Sequence, residues 1–410
     1  MGTAGRQSSN ARIYWTAFIG LLFDYYDLYL FVYLEKVLAA HFGLTRAASD
    51  GLQFAGLAGV GAGALGFGWL ADRFGRGRIM LLVFGVYALG IAGLSLSWDF
   101  GSVLGFRLLA SLALGAEWGI SHTYLAERVD RATRYRFSAL LQFAILGGLL
   151  AALARGELLP VLGWRWLFAL SIEPVAVLSI IRWRMLVREP GAVSAEGSGV
   201  KCKVEAETDE GHRATGPTLD SRPSALDRLG LQAWRENAGP FAVCFGLATL
   251  TIASGTMNVF YAKDLPQSLL YTVCFWGNIV PGMLAGAWLV RRAGVGRSLA
   301  LYAAALIALS AWAWTGPAPQ RALAFALVLP LLNGVPFGLM GAFFNEVFGE
   351  YRTMLSGAAY NLGRILAGFS PVLLTALGLQ AGGRYFLFTA ALGLGVLALS
   401  AVVARLPRRL

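Results

Sequence analysis

Long apolar stretches separated by short polar segments run along most of the chain of 410 residues. A membrane-spanning helix needs about 20 mostly apolar residues, and twelve stretches meet this requirement. Their predicted bounds are 13–34, 51–70, 79–97, 101–123, 136–156, 164–187, 240–261, 267–290, 297–315, 321–344, 353–378 and 384–404. The tenth contains Pro330 and Pro336, which permit a kink there. The pattern predicts an all-α membrane protein.

One segment in the middle of the chain departs from this pattern. Residues 191–236 are rich in charged residues, Gly, Ser, Thr and Pro, and they contain few aromatic residues. Such a composition is typical of a flexible linker. We therefore expect a six-helix half at residues 1–190, a cytoplasmic linker at 191–239 and a second six-helix half at 240–410.

Composition supports the membrane assignment. Hydrophobic residues make up 57% of the chain and charged residues 14%, and the mean hydropathy is +0.61. These values exclude a soluble globular domain, a disordered chain and a DNA-binding domain. The net charge is +11, and most of the 34 Lys and Arg residues flank the apolar stretches on one side. By the positive-inside rule, we expect both termini to be cytoplasmic in a protein of the plasma (inner) membrane.

Neither an enzyme nor a metal site is indicated by the remaining residues. The three cysteines, Cys202, Cys244 and Cys274, lack metal-ligand spacing and do not form a disulfide framework. The histidines are scattered, and the Gly-rich stretch at 56–68 lacks the Lys-Ser/Thr of a phosphate-binding loop. We expect no metal and no cofactor, with a proton gradient as the energy source.

An internal repeat supports the division into halves. The segment Trp69–Arg78 aligns without gaps to Trp288–Arg297, 219 residues later, and the two share Trp, Leu, Arg, Gly, Gly and Arg. Each copy lies between the second and third predicted helix of its half. This arrangement is typical of transporters whose halves are related by an axis along the membrane normal.

Four motifs resemble those of one known family. The segment Gly68–Met80 (GWLADRFGRGRIM) is similar to the loop-2/3 signature of the major facilitator superfamily. The segments Phe23–Asp27, Arg107–Trp118 and Tyr360–Arg364 resemble motifs of its metabolite–proton and aromatic-acid–proton symporter branches. The resemblance covers nearly the whole chain outside the linker. It implies a fold of twelve helices, alternating access, and proton coupling through the acid on the first helix and the arginine on the fourth.

Ionisable residues within predicted spans are expensive to bury and are therefore functional candidates. Asp24 and Asp27 lie one turn apart on the first helix, so we expect them to influence each other's ionisation. We predict that Asp27 pairs with Arg107 and that the pair opens when Asp27 is protonated. The alternative is a permanent ion pair that only holds two helices together.

Glu117 is also a proton-coupling candidate, but it lies too far along the fourth helix from Arg107 to pair with it directly. In the related motif an acid near this place meets the loop-2/3 arginines, so gating is the favoured role. Glu173 lies on the sixth helix, which usually faces lipid, and carries a weaker expectation.

Arg364 is the predicted substrate ligand, since no acid lies in the apolar parts of the second half to neutralise it. A guanidinium there favours a carboxylate; pairing with Asp24 is the alternative, under which the substrate is neutral. Seven further polar or aromatic residues are expected to line the cavity, although each is individually more typical of helix packing. They are Tyr25, Gln142, Asn258, Trp276, Asn333, Tyr360 and Asn361.

The loop-2/3 motif is interpreted as a conformational latch. Asp72 is expected at a neighbouring helix terminus or beside an arginine when one side of the protein is closed. The other members of the predicted latch are Gly68, Arg73, Gly75 and Arg76. The second copy carries Arg291 where the first has Asp72, so any latch in the second half is expected to be weaker or to use different partners.

The sequence as a whole predicts a monomeric secondary transporter that moves a small organic anion with protons. Two alternatives remain open. One is a proton-driven drug or metabolite exporter, or a sugar transporter, of the same fold. The other is a membrane sensor or assembly protein that does not transport.

Overall fold

The computed structural model describes residues 3–130, 133–188, 231–256, 269–315, 319–349, 351–379 and 384–408. Within these ranges the regular elements are all helical. The predicted linker lies largely outside them, and its last residues, 231–239, belong to a helix that continues to Thr256.

Nine helices form the first half. They are α1 (Thr3–Phe42), α2 (Arg46–Phe74), α3 (Arg76–Ser95), α4 (Phe100–Arg128), α5 (Arg134–Gln142), α6 (Gly147–Leu153), α7 (Leu159–Leu162), α8 (Trp164–Ala169) and α9 (Ile172–Arg188). A 3₁₀ turn at Phe143–Leu146 and a π turn at Ala154–Leu158 join α5, α6 and α7 into one crossing. Asp99 caps α4 by accepting a hydrogen bond from the Ser102 amide at 2.7 Å, and this bond lowers the pKa of the Asp99 carboxyl.

Seven helices are described in the second half. They are α10 (Leu231–Thr256), α11 (Leu269–Gly277), α12 (Ile279–Trp314), α13 (Pro319–Val347), α14 (Arg352–Gly368), α15 (Ser370–Ala376) and α16 (Tyr385–Val403). The helix α13 continues through both Pro330 and Pro336 as a single element.

The described helices account for twelve crossings. Ten helical segments among the described residues are long and apolar enough to span a membrane. One of them, Thr272–Trp314, is 43 residues long and reverses at Gly294, so it crosses twice. A further crossing comes from α14 and α15, which Phe369 divides into helices of 17 and 7 residues. The predicted fold is therefore confirmed.

The internal repeat is also a structural repeat. Gly75 ends α2 with φ of 94°, and Gly294 lies at the equivalent turn with φ of 78°. Residues other than glycine rarely adopt such angles. The shared glycine thus makes the same reversal between the second and third crossing of each half.

The sixth crossing is interrupted between α8 and α9. Pro174 lies in the first turn of α9, where its ring is incompatible with a helical carbonyl four residues earlier, at Leu170. The helix accordingly breaks at Leu170 and Ser171. The break places the Ser171 hydroxyl inside the first half, where this side chain is fully buried.

The two halves approach each other closely where α4 meets α14. A Cβ atom built on Gly119 would lie 3.0 Å from the Cα atom of Gly357. Asn361 also reaches across, because its Nδ2 donates a hydrogen bond to the Gly115 carbonyl at 2.9 Å. Small residues here allow the backbones to touch, so a tight seam separates the centre of the protein from one of its sides.

Candidate functional site

A small cavity lies between the halves at the centre of the bundle. Its lining residues are Leu21, Asp24, Tyr25 and Leu28 from α1, Leu114 and Trp118 from α4, and Arg364 from α14. It has room for about one water molecule. In this conformation an organic substrate needs a wider gap between the halves.

Arg364 faces this cavity, as expected of a substrate ligand. Its side chain is half-buried, and its guanidinium carbon lies 5.8 Å from the centre of the Tyr360 ring. Across the described part of the chain, no carboxylate oxygen lies within 4 Å of this guanidinium. Asp24 lines the same cavity, so an acid and a base face the space that a substrate would fill.

Aromatic side chains from both halves close the cavity on the side of the seam. Trp118 stacks on Tyr360 with ring centres 3.9 Å apart and planes inclined by 2°. The hydroxyl oxygens of Tyr25 and Tyr360 lie 3.2 Å apart. Trp118 is fixed in turn by Gln142, whose Oε1 accepts a hydrogen bond from the indole at 3.0 Å. The predicted residues Tyr25, Tyr360 and Gln142 therefore form one connected group.

His122 extends that group and was not predicted as part of the site. Its Nε2 lies 2.9 Å from Gln142 Oε1, and its Nδ1 lies 3.3 Å from the Ser138 hydroxyl. Because an indole can only donate, the Gln142 atom must be the amide oxygen, which makes His122 Nε2 a donor as well. Contacts to both ring nitrogens thus hold the His122 imidazole in one orientation.

The other predicted cavity residues have different surroundings. Asn361 donates a hydrogen bond to Gly115 across the seam between α4 and α14. Trp276 contacts Tyr29 with ring centres 4.7 Å apart and is 6% exposed. Asn333 lies within the second half, and Asn258 falls outside the described residues. Of the described residues, Asn361, Trp276 and Asn333 are not part of the cavity lining.

Asn333 forms a neutral polar cluster with two hydroxyls. Its Oδ1 accepts hydrogen bonds from Ser254 and Tyr302, each at 2.9 Å. The side chain is 1% exposed, and its Nδ2 has no hydrogen-bond partner within the ranges described. This cluster joins α10, α12 and α13 inside the second half.

Asp27 forms a corresponding cluster inside the first half. Its side chain is 1% exposed. Ser171 Oγ lies 2.8 Å from Asp27 Oδ1, and the Tyr87 hydroxyl contacts Asp27 Oδ2. The cluster connects α1, α3 and the break between α8 and α9. Neither Tyr87 nor Ser171 was predicted, because an isolated hydroxyl in an apolar stretch gives no sequence signal.

The predicted contact between Asp27 and Arg107 is not formed in this conformation. Arg107 is 3% exposed, and its guanidinium carbon lies 3.9 Å from the centre of the Phe31 ring. No nitrogen of Arg107 lies within 4 Å of a carboxylate in the described residues. Tyr87 and Ser171 occupy the hydrogen-bonding positions of Asp27 instead. The expected opening of this pair on protonation stays a prediction.

Asp24 and Asp27 do not share one site. Asp24 lines the central cavity, whereas Asp27 is not a lining residue and binds side chains of its own half. A separation of three residues turns the two side chains by about 60° around a helix, which is enough to give them different neighbours. The expectation that the two carboxyls influence each other's ionisation stays a prediction.

Glu117 also lies in a different place from that expected. It is 1% exposed, and its Oε1 accepts a hydrogen bond from Ser121 at 2.7 Å beside Gly20 of α1. The acid that meets the loop-2/3 arginine is Glu127, whose Oε1 lies 2.9 Å from Arg76 Nη1. The predicted gating contact thus belongs to a residue ten positions later.

The Asp72 side chain joins the two halves. Its two oxygens accept hydrogen bonds from the Thr353 amide at 3.2 Å and the Met354 amide at 2.8 Å, at the start of α14. Arg76 binds Asp72 at 2.9 Å and donates to the Thr353 hydroxyl at 3.1 Å. A carboxylate is favourable at a helix N-terminus. Both contacts that the sequence allowed for Asp72 are formed, while its gating role stays a prediction.

The remaining predicted latch residues support this contact. A Cβ atom on Gly68 would lie 2.8 Å from the Met354 Cα, so a larger residue would push α14 away. Gly75 provides the turn between α2 and α3. Arg73 is exposed, and its guanidinium carbon lies 5.3 Å from the centre of the Trp69 ring. We call the side of the bundle that carries Asp72 and the start of α14 the closed face.

Two ion pairs on the closed face occupy equivalent positions in the two halves. Glu127 is the penultimate residue of α4 and lies 3.8 Å from Arg352, the first residue of α14. Glu346 is the penultimate residue of α13 and lies 3.3 Å from Arg134, the first residue of α5. Each pair joins the two halves. The offset of 219 residues that aligns the loop repeats also maps Glu127 onto Glu346, so this signal was present in the sequence.

Glu346 has further partners that Glu127 lacks. Its Oε2 accepts a hydrogen bond from the Tyr135 hydroxyl at 2.7 Å and lies 3.9 Å from Nε of Arg408. The Glu346 side chain is 6% exposed, compared with 23% for Glu127. The Glu346 contact is therefore the more deeply buried of the two, and the expectation for a latch at Arg291 stays a prediction.

Comparisons with known proteins agree with this architecture. The chain is 29% identical over 365 residues to the cis,cis-muconate transport protein of Acinetobacter baylyi, covering 87% of this chain and 84% of that protein. It is 25% identical over 382 residues to the niacin transporter NiaP of the same organism, covering 88% and 85%.

A solved structure matches the fold along nearly the whole chain. The proton:xylose symporter XylE, bound to 6-bromo-6-deoxy-D-glucose, superposes with a TM-score of 0.69 at 18% identity, covering 98% of this chain and 96% of that chain. The sequence model described as Major Facilitator Superfamily matches residues 17–371. The chain therefore belongs to the major facilitator superfamily and is a membrane transporter, not an enzyme.

Proposed function

We propose that this transporter imports a small organic acid together with protons, by exposing the central cavity alternately to the two sides of the plasma membrane. The observation that carries the proposal is Arg364, which faces the cavity without a carboxylate within 4 Å in the described residues. A guanidinium binds a carboxylate through two parallel hydrogen bonds. An anionic substrate would supply the partner that this part of the chain does not.

The names of the relatives support the same substrate class. Muconate and niacin both carry carboxylate groups, and the proteins named for them match nearly nine-tenths of this chain. The rings of Tyr25 and Trp118 line the space beside Arg364 and offer flat apolar surfaces to the rest of the substrate, while Tyr360 stacks on Trp118.

Proton coupling is assigned to the first half. Asp27 is buried, and a buried carboxyl is far less costly when it carries a proton. Arg107 lies on the neighbouring helix α4 without an acidic contact in the described residues, so an ionised Asp27 would have a cation to approach. Release of the proton would therefore change the packing between α1 and α4.

The distribution of basic residues supports a cytoplasmic location of the closed face, since the Lys and Arg residues of the chain concentrate on the side that carries Arg76 and Arg134. The conformation described here is then closed towards the cytoplasm. Opening it requires the contacts of Asp72, Glu127 and Glu346 to separate, and substrate must bind the intermediate conformations more tightly for transport to follow.

Uptake into proteoliposomes tests this proposal. A panel of labelled monocarboxylates, aromatic acids and sugars is offered under an inward proton gradient to the wild type, to Arg364→Ala and to Arg364→Lys. We expect one class of acid to accumulate, and we expect the KM to rise about 10- to 100-fold in Arg364→Ala, because a charge-assisted hydrogen bond is lost. Arg364→Lys keeps the charge but not the fork, so its KM should be intermediate.

The matched control is Arg291→Ala, which removes the same charge from an exposed position. It should leave the KM unchanged. Accumulation of sugars with an unchanged KM in Arg364→Ala would contradict the anionic substrate. Acid transport that ignores the proton gradient would contradict the coupling and would favour an exporter or a uniporter.

A further inference from the structure

Two hydroxyl groups hold the Asp27 carboxyl, and each of them also lies beside a main-chain carbonyl. Ser171 Oγ is 2.8 Å from Asp27 Oδ1 and 2.9 Å from the Phe168 carbonyl oxygen. The Tyr87 hydroxyl contacts Asp27 Oδ2 and is 3.1 Å from the Phe23 carbonyl oxygen. Four contacts between oxygen atoms therefore converge on two hydroxyl groups.

The number of hydrogen atoms available for these four contacts differs between the ionised and the protonated form of Asp27. Each hydroxyl has one hydrogen and can donate it to one acceptor. If Asp27 is ionised, two hydrogens serve four contacts, and two pairs of oxygen atoms face each other without a hydrogen. If Asp27 carries a proton, three hydrogens serve the four contacts. The carboxyl then donates to Ser171, which donates to Phe168, while Tyr87 donates to the other carboxyl oxygen.

The charges around the cluster agree with this count. The titratable groups that interact with the Asp27 carboxyl are Tyr26 of α1, Tyr87 of α3 and Arg107 of α4, while Glu173 of α9 is exposed on the surface of the bundle. Arg107 is the cation among them, and it lies over Phe31 with no carboxylate within 4 Å in the part of the chain described. A buried carboxylate that is not paired with a cation is costly, so this arrangement suits the neutral acid.

From this geometry we infer that Ser171 and Tyr87 are positioning residues that hold Asp27 in its proton-carrying form and thereby set the pH range over which uptake operates. The inference rests on the proposed role of Asp27 in proton coupling. Neither hydroxyl lines the substrate cavity. They are expected to act on the substrate only through the ionisation of Asp27.

The pH dependence of uptake tests the inference. Initial rates are measured from pH 5 to pH 9 in proteoliposomes that contain the wild type, Ser171→Ala, Tyr87→Phe or Ser171→Thr. Loss of a hydrogen bond to the protonated acid should move the midpoint of the profile to lower pH by about half to one unit. Ser171→Thr keeps a hydroxyl and should retain the wild-type midpoint.

The second half provides matched controls. Ser254→Ala and Tyr302→Phe remove the same two groups from around Asn333, which cannot ionise. These variants should leave the midpoint where it is in the wild type. Substrate exchange at equal pH on both sides measures the fraction of folded protein for each variant, so poor folding is not mistaken for a shift.

Infrared spectroscopy of the purified protein gives a second readout that does not depend on transport. The carbonyl band of a protonated carboxyl should disappear in Asp27→Asn and should change frequency in both Ser171→Ala and Tyr87→Phe. An unchanged midpoint and an unchanged band in these variants would overturn the inference, and so would a midpoint shifted to higher pH. Uptake by the wild type that does not depend on pH would instead overturn the proposed coupling.

Discussion

The polar clusters of the two halves are built from the same two kinds of hydroxyl, and they differ in the group that these hydroxyls contact. In the first half a tyrosine and a serine hydroxyl meet the carboxyl of Asp27, and in the second half Tyr302 and Ser254 meet the amide of Asn333. All of these side chains are buried. Each cluster thus ties three crossings together through two hydroxyls and one acid or amide, but only the first cluster can gain or lose a charge.

This difference separates packing from coupling. Both clusters satisfy buried polar groups and hold three crossings in register, so each half needs its own for structural reasons. Only the acid can convert a proton into a change of electrostatic energy inside the protein. The second half contributes Arg364 to the cavity, so its role in this scheme is to bind the substrate.

Asp27→Asn should have the largest effect, because it makes the first cluster chemically equivalent to the second. We expect proton-driven accumulation to fall by more than tenfold, while exchange of substrate across the membrane continues. The amide retains hydrogen bonding to Tyr87 and Ser171 but cannot release a proton. Uptake and exchange measured side by side check this prediction. Full accumulation by the variant would show that another group carries the proton.

Glu346→Ala should have the next largest effect. Removing this acid leaves Arg134 and Tyr135 buried without their partner in the closed conformation, whereas both would be hydrated once the closed face opens. Breaking a buried ion pair costs about 3 kcal/mol or more, so the open conformation should become predominant.

The buried thiol of Cys244 reports this opening. In a background carrying Cys202→Ser and Cys274→Ser, the rate at which a membrane-permeant maleimide labels Cys244 should rise at least tenfold in Glu346→Ala. Ser400→Ala, a buried hydroxyl on α16, is a control with no expected change. An unchanged labelling rate in Glu346→Ala would show that the ion pair does not hold the closed face together.

Asn333→Asp should have a moderate effect on stability. It tests the comparison by placing an acid in the cluster of the second half. The new carboxyl would lie between Ser254 and Tyr302, and we expect a loss of about 1 to 3 kcal/mol in the free energy of unfolding, because an acid is more costly to bury than an amide. Thermal unfolding of the purified protein measures the loss. A new step in the pH profile of uptake would contradict the view that the second cluster is purely structural.

The sequence was sufficient for features that depend on local pattern. Apolar stretches predicted the crossings, and the loop repeat predicted the matching turns at Gly75 and Gly294, because helix length and glycine conformation are encoded locally. The spacing of the loop motif also anticipated the contacts of Asp72. The partner of Asp27 could not be read in this way, since it depends on which face α1 presents to its neighbours.

The contacts of Glu127 and Glu346 are not encoded locally, but the internal repeat gives partial information about them. Their pairing joins helices that are more than 200 residues apart in the chain, and no local pattern specifies it. The repeat offset nevertheless relates the two acids, so symmetry carried information that helical spacing did not. Ser171 was hidden for another reason: its position depends on the helix break at Pro174.

Glu127→Ala should have the smallest effect of the four. The Glu127 side chain is 23% exposed, and its partners Arg76 and Arg352 keep other contacts, to Asp72 and to the Gly349 carbonyl. Partly exposed ion pairs contribute about 1 kcal/mol or less, so labelling of Cys244 should rise only a few fold, and less than in Glu346→Ala. The difference between the labelling rates of the two variants should widen at high salt, because screening weakens the exposed pair more than the buried one and so leaves less for Glu127→Ala to remove. Labelling that rises more in Glu127→Ala than in Glu346→Ala would reverse the ranking. It would make the contact between α4 and α14 the principal latch, and its acid, Glu127, belongs to the same half as Asp27.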